Sequence, residues 1–233
     1  MNNIYVMSDI HGHYDAFIEM LNKINLNIND KLYILGDVID HNPGGIKILK
    51  HIMDKQNIEL IIGNHEELMI KNILLNELNI NDNFITLDGN IRMSLDWMGK
   101  GGLITLKTFM KEAIEIQKKI TDFLLKSIDH KLINVNNQNY FLIHDGLLIP
   151  ENKDLKEYIT GNIVVFGHTP TIYIPQYIDS ITEKITHKNI NKCKAFEIYI
   201  SKYRIGIDCG CASKKGKLGC LRLNDMKEFY VKL

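Results

Sequence analysis

Several polar residues in this chain follow directly on short apolar runs, and their types are those that bind metal ions. Ser8-Asp9-Ile10-His11-Gly12 sets a carboxylate and an imidazole two positions apart, immediately after Ile4-Tyr5-Val6-Met7. Gly36-Asp37-Val38-Ile39-Asp40 adds two carboxylates after a second apolar run, and Gly63-Asn64-His65-Glu66 follows a third. Two further imidazoles, His144 and His168, follow Tyr140-Phe141-Leu142-Ile143 and Ile163-Val164-Val165-Phe166-Gly167. A carboxylate has two oxygens, so Asp37 could join two cations. Mixed oxygen and nitrogen donors suit manganese, iron, zinc or nickel better than calcium or magnesium. Each fragment alone is a common loop feature; five of them, each at the end of an apolar run, make a divalent-metal site the expectation.

Positioning these groups requires strands that all deliver their ends to one place. Residues 4–8, 32–36 and 58–62 read as strands, and Phe17, Met20, Leu21 and Ile24 recur at helical spacing between the first two. Pro43 can open a second helix bearing Ile46, Leu49 and Met53. Asp9, Asp37 and Asn64 lie 28 and 27 residues apart, close to the length of one βαβ unit. Parallel strands wound in this way bring their carboxyl ends to one crevice, where ligands bind. Residues around 67–129 are mainly helical by pattern, with a break near Asn79–Asn90, and form a cap-like segment. Strands then dominate at 131–135, 139–143, 162–166, 204–207, 217–223 and 227–232, which predicts a second sheet. With no repeat or linker in the pattern, 1–233 reads as a single domain.

Composition narrows the partners. Of 233 residues, 45% are hydrophobic and 24% charged, with a formal net charge of zero; that is a globular profile without the basic excess that an extended nucleic acid demands. The apolar runs are too short to cross a bilayer, and no basic, apolar and cleavage-site sequence stands near the N-terminus, so no membrane partner and a cytoplasmic location are expected. Cys193, Cys209, Cys211 and Cys220 lack paired Cys-x-x-Cys spacing and read as core thiols.

In order and spacing, Asp9-Ile10-His11-Gly12, Gly36 to Asn42, Gly63 to Glu66, His144-Asp145-Gly146 and Gly167-His168-Thr169 resemble the motifs of calcineurin-like metallophosphoesterases, specifically the phosphoprotein phosphatase superfamily in its bacterial and phage branch. Trp97 to Gly102, and Ile207 to Cys211, are also similar to bacterial members, diadenosine-tetraphosphate hydrolases among them. The resemblance implies a four-layer α/β sandwich, two central mixed β-sheets flanked by helices. It implies that Asp9, His11 and Asp37 hold one divalent ion and that Asp37, Asn64, His144 and His168 hold the other, manganese being the first expectation. It further implies His65 as general acid and Asp40 as the group that holds its ring.

Two such cations, about 3.5–4 Å apart, acidify a water and neutralise charge in an in-line displacement at phosphorus. The lead expectation is therefore hydrolysis of phosphate monoesters, on phosphoserine, phosphothreonine or phosphotyrosine of proteins or on small esters. Hydrolysis of dinucleoside polyphosphates is the alternative, and a catalytically weak metal-containing binding module is a third reading. The departures bear on substrate. His41 and Asn42 stand where the family pattern has Arg and Gly, and no arginine lies between His144 and His168. His41 and Asn64 are then the expected substrate contacts, with Lys153 or Lys156 as replacement cations, and His41 would grip phosphate when protonated. His13, His51, His130 and His187 receive no role, and Tyr14 and Trp97 read as packing residues.

Overall fold

The structure, a computed structural model, describes residues 2–78, 95–147, 161–174 and 195–233, apart from the side chains of 73–78. The chain opens as three βα pairs: β1 (Ile4–Met7), α1 (Tyr14–Ile24), β2 (Lys31–Leu35), α2 (Gly45–Ile52), β3 (Ile58–Ile61) and α3 (Asn64–Leu78). A kinked turn at Met98–Gly102 leads into α4 (Leu103–Phe109) and α5 (Ile114–Lys126). Then come β4 (His130–Val135), β5 (Gln138–Ile143), β6 (Ile163–Phe166), β7 (Tyr199–Ile200), β8 (Arg204–Gly206), β9 (Lys217–Arg222) and β10 (Lys227–Lys232). The helix break expected near Asn79–Asn90 lies outside the described residues, as do Cys193, Lys153 and Lys156.

Among the described residues, ten strands form two mixed five-stranded sheets, in the order β10-β9-β1-β2-β3 and β4-β5-β6-β8-β7. β1, β2 and β3 run parallel, with β9 antiparallel to β1; β5, β6 and β8 are parallel in the second sheet. Alternation along each strand decides which core it feeds. Tyr5, Met7, Leu32 and Ile34 turn to the outer face of the first sheet, where Phe17 and Met20 of α1, Ile48 and Leu49 of α2, and Trp97, Phe109, Ile120 and Leu124 join them. Val6, Tyr33, Leu35 and Ile61 turn inward onto Tyr140, Leu142, Val165 and Ile205 of the second sheet. Phe141, Val164 and Phe166 face outward again, under Leu147 and Ile174. The expected sandwich of two mixed sheets with flanking helices is thus present.

Small differences from the sequence reading have local causes. Ser8, Gly36 and Ile62 leave the ladder because they open the loops that carry polar groups, so the first three strands each end one residue early. Met53 follows α2 at its C-cap. β7 has only two residues, too few to show alternation. Cys209, Cys211 and Cys220 are buried free thiols, which burial pushes above the ordinary thiol range. No helix among the described residues is long and apolar enough to cross a membrane.

Candidate dinuclear metal site

Parallel pairing brings the ends of β1, β2 and β3 to one edge of the first sheet, and the ends of β5 and β6 to one edge of the second. The loops that follow are tied together by their backbones. Asp9 and His11 donate N–H bonds to the carbonyls of Gly36 and Asp37 at 3.0 and 2.9 Å, and Gly167 donates to His144 at 2.9 Å. Asp9, His11, Asp37, Asp40, His41 and His168 all take left-handed backbone angles, with φ between 46° and 70°. They are six of the eleven non-glycine residues among the described ones that do so. Such conformations cost about 1–3 kcal/mol each and persist where surrounding structure imposes them; here they coincide with the polar cluster.

The nine predicted site residues other than the candidate lysines, Asp9, His11, Asp37, Asp40, His41, Asn64, His65, His144 and His168, all arrive there. Asp9, His11 and Asp37 present donor atoms that all lie within 4.8 Å of one another, and so do Asp37, His144 and His168. Asp37 belongs to both groups. The Asn64 side-chain oxygen lies 3.0 Å from His144 Nε2 and 2.8 Å from His168 Nδ1, and His168 N–H donates to the Asp9 carboxylate at 3.0 Å. Asp9, His11, Asp37 and His144 are buried, whereas Asn64 and His168 are more open.

The imidazoles are fixed from behind. His11 Nδ1 lies 3.2 Å from the Ile39 carbonyl and His144 Nδ1 lies 2.7 Å from that of Leu35. A carbonyl can only accept, so Nδ1 carries the proton in both and Nε2 is turned toward Asp37, at 4.0 Å from His11 and 3.3 Å from His144. Metal-ligating histidines are characteristically held in this way. Burial pulls His11 down to about 4, so its Nε2 lone pair is free at neutral pH.

The charge balance asks for a cation. Asp9, Asp37, Glu66 and Asp208 are all buried. Burial and the neighbouring carboxylates hold Asp9 well above the usual range and Asp208 up to about 7. Burial opposes ionisation of Asp37 as well, but His144, His65 and His11 outweigh it and hold its carboxyl below the usual range. His144 answers in kind: burial would lower it, yet Asp37 and Asp9 push it up to about 10. Among the described residues, Arg204 instead reaches the carbonyls of Gly146 and Leu147, and Arg222 pairs with Asp225. Buried carboxylates beside imidazoles whose Nε2 faces them make a donor set that fits divalent ions.

A second constellation adjoins the first. His65 Nδ1 lies 2.6 Å from Asp40 Oδ2, and its Nε2 lies 3.8 Å from Asp37 Oδ2. Burial lowers His65, but the Asp40 hydrogen bond and the charges of Asp37, Asp40 and Glu66 outweigh it and raise the imidazole above its ordinary value. Asp40 is buried and fixed by two residues that the sequence reading gave no site role: Trp97 donates its Nε1–H to Oδ2 at 2.9 Å, and Thr105 Oγ1 accepts the Asp40 N–H at 2.9 Å. Glu66 was missed as well. Its carboxylate accepts N–H bonds from Asp37, Gly63, Val38 and Ile39 at 2.8–3.3 Å and so clamps the loop after β2 to the start of α3. A Cβ on Gly63 would come within 2.3 Å of Asp37 Oδ1, so only glycine fits there. The carboxylate so close to a glycine and an apolar run was a readable signal for Glu66; nothing local ties Trp97 to Asp40, 57 positions away.

His41 is exposed at the mouth of the site, 4.7 Å from the His11 ring and 5.4 Å from the His65 ring between centroids. Burial and His65 lower it below its ordinary value. On the other side, Ile62, Asn64, Glu67, Asp129, Ile143, His144, Asp145 and His168 line a cavity of about 280 Å³ with an acidic rim.

The family model for calcineurin-like phosphoesterases matches residues 3–180. This chain belongs to that family. Over 98% of its length it is 24% identical to the symmetrical bis(5'-nucleosyl)-tetraphosphatase of Chromobacterium violaceum, of which 94% is covered. The enzyme of the same description from Wigglesworthia glossinidia brevipalpis is 45% identical, but over 64 residues, 27% of this chain and 24% of that one; the matched segment is about a quarter of that relative. Among solved structures, a protein serine/threonine phosphatase from Saccharomyces cerevisiae aligns with a TM-score of 0.55 at 13% identity, covering the whole chain and 80% of the other. That likeness shows the shared fold. The aspartate and histidine clusters accord with membership of that family.

Proposed function

We propose that this calcineurin-like phosphoesterase uses two divalent ions, manganese first, one held by Asp9, His11 and Asp37 and the other by Asp37, Asn64, His144 and His168. The observation that carries this reading is the pair of donor groups that share Asp37. When bound, the ions supply Lewis acidity toward water and the phosphoryl oxygens. His65 is the proton donor to the leaving oxygen. Its Nδ1–H is held by Asp40, which keeps Nε2 facing the site and raises the proton affinity of the ring. Asn64 and His41 border the space where the phosphoryl group would lie.

The near-full-length relative favours a dinucleoside polyphosphate as substrate over the phosphomonoester that leads the sequence reading. The acidic rim at Glu67, Asp129 and Asp145 repels a chain of phosphates, so such a substrate would extend toward His41 instead. Phosphomonoesters, of proteins or small molecules, are the second reading, and the open site that leaves His41 exposed accommodates a bulky ester. The deciding experiment strips the protein of metal, refills it with manganese and follows product formation from diadenosine tetraphosphate, para-nitrophenyl phosphate and a phosphoserine peptide. Turnover lost in Asp37→Asn supports the dinuclear reading. Adenosine diphosphate as sole product at a kcat/KM at least tenfold above the monoesters identifies the nucleotide substrate, and the reverse ratio identifies a phosphomonoesterase. No turnover of any substrate by protein with two manganese ions bound refutes the reading.

A further inference from the structure

A third group of donor atoms lies beside the two already described: those of His11, His41 and His65 also fall within 4.8 Å of one another. Unlike the others, this group contains no carboxylate. Two of its members are set as metal ligands are set, each donating Nδ1–H to an acceptor of consecutive residues, His11 to the Ile39 carbonyl and His65 to the Asp40 carboxylate. Both therefore offer Nε2. The third, His41, follows Asp40 directly and is exposed, so its side chain can swing to close the triangle. Its ring is backed by the kinked turn: a Cβ on Gly101, where φ is 95°, would stand 3.1 Å from His41 Nδ1 and 3.0 Å from its backbone nitrogen. The absent side chain is what leaves room for the imidazole.

We propose that His11, His41 and His65 form an inhibitory site for a nitrogen-preferring divalent ion of the zinc class. Imidazole suits zinc, copper and nickel, and affinity for such a site rises along the series from manganese toward copper. Zinc bonds imidazole nitrogen at about 2.0–2.1 Å and accepts three protein ligands with an open fourth position. His11 has one free nitrogen, so an ion among the three rings draws it away from Asp9 and Asp37. It also occupies the nitrogen of His65 that would carry the transferred proton. Manganese, which favours the carboxylate-bearing positions, then activates while zinc at the tri-histidine position inhibits. The inhibition rests on the proposed role of His65; the coordination does not.

The coordination is tested by zinc-soaked crystals, with anomalous difference maps at the zinc edge for the wild-type protein, His41→Arg and Gly101→Ala. Density among the three imidazoles in the wild type, lost in His41→Arg and weakened in Gly101→Ala while density at the Asp37 positions remains, supports the site. Density confined to the Asp37 positions in the wild type, or unchanged among the rings in His41→Arg, overturns it. For inhibition, manganese-activated turnover is titrated with zinc, each protein scaled to its own zinc-free rate. The zinc concentration for half inhibition should rise at least tenfold in His41→Arg; equal sensitivity refutes the inhibitory role even where density is seen. Zinc among the rings of a protein that hydrolyses no phosphate ester with any metal would leave the site standing and remove the proposed function instead.

Discussion

Asp40 shows how much of this chemistry depends on a residue that need not touch substrate. Its Oδ2 accepts the His65 Nδ1–H at 2.6 Å and the Trp97 indole N–H at 2.9 Å, and its other oxygen, Oδ1, is buried with no hydrogen-bond partner among the described residues. A carboxylate held so firmly is placed to orient His65 and to favour its protonated form. Replacing it by asparagine removes that charge and leaves burial to depress the imidazole. In Asp40→Asn, kcat on an alkyl phosphate should fall by about 10²-fold, and the alkaline limb of the pH–rate profile should move to lower pH. An activated ester such as para-nitrophenyl phosphate, whose leaving group needs no proton, should lose far less. A uniform loss on both esters with an unmoved profile would place Asp40 in the scaffold alone. His41 carries the opposite expectation: being lowered, it is neutral at pH 7 and can pair with phosphate as a cation only in acid, so its contribution to binding should shrink as pH rises.

At the scale of elements, the loop after β2 is held by the first turn of α3 through Glu66, with four N–H donors on one carboxylate. Glu66→Gln turns an amide N–H₂ toward those donors. It should lower stability by about 1–3 kcal/mol and weaken metal affinity about 10- to 100-fold, which thermal melts and manganese titration measure together. Unchanged metal affinity in a destabilised variant would show that the clamp serves folding only. The βα repeats were legible because Phe17, Met20, Ile46 and Leu49 recur at helical period and all prove buried or packed against the core. The convergence of Asp9, Asp37 and Asn64 followed from spacing, since parallel strands of similar repeat length must end together. His144 and His168 were legible as imidazoles at the ends of apolar runs, but no spacing rule brought them from the second sheet, and their assignment to one ion came from resemblance to a family. What escaped were Glu66 as a clamp, and the Trp97 and Thr105 contacts to Asp40: side-chain bonds between residues 57 and 65 positions apart leave no periodic trace.

At the scale of the whole molecule, the side chains at the junction of the two sheets leave a charge imbalance among themselves. His144 is raised to about 10, so the stability it confers is complete below the ordinary imidazole value and is lost as pH rises through about 10. Asp9 and Asp208, raised by burial, oppose folding increasingly as pH climbs above the usual carboxylate range, Asp208 through about 7. Both effects have the same sign. Metal-stripped protein should therefore melt at lower temperature at about pH 9 than at about pH 6, and manganese, which takes the place of the His144 proton, should flatten that slope. A melting temperature of the stripped protein that rises with pH would contradict this account.

The strand order has a consequence for how such a molecule comes into being. β1 lies in the middle of its sheet, between β2 and β9, and its Tyr5 pairs with Arg222, more than two hundred residues downstream. A chain emerging from the ribosome thus carries Val6 and Met7 with one sheet edge bare until residues 217–222 have been synthesised. Contacts so distant in sequence close slowly, and an open apolar strand in the meantime invites pairing with other chains. Slow translation through residues 217–223, or release before them, should tip newly made protein toward aggregation, whatever the state of its active site.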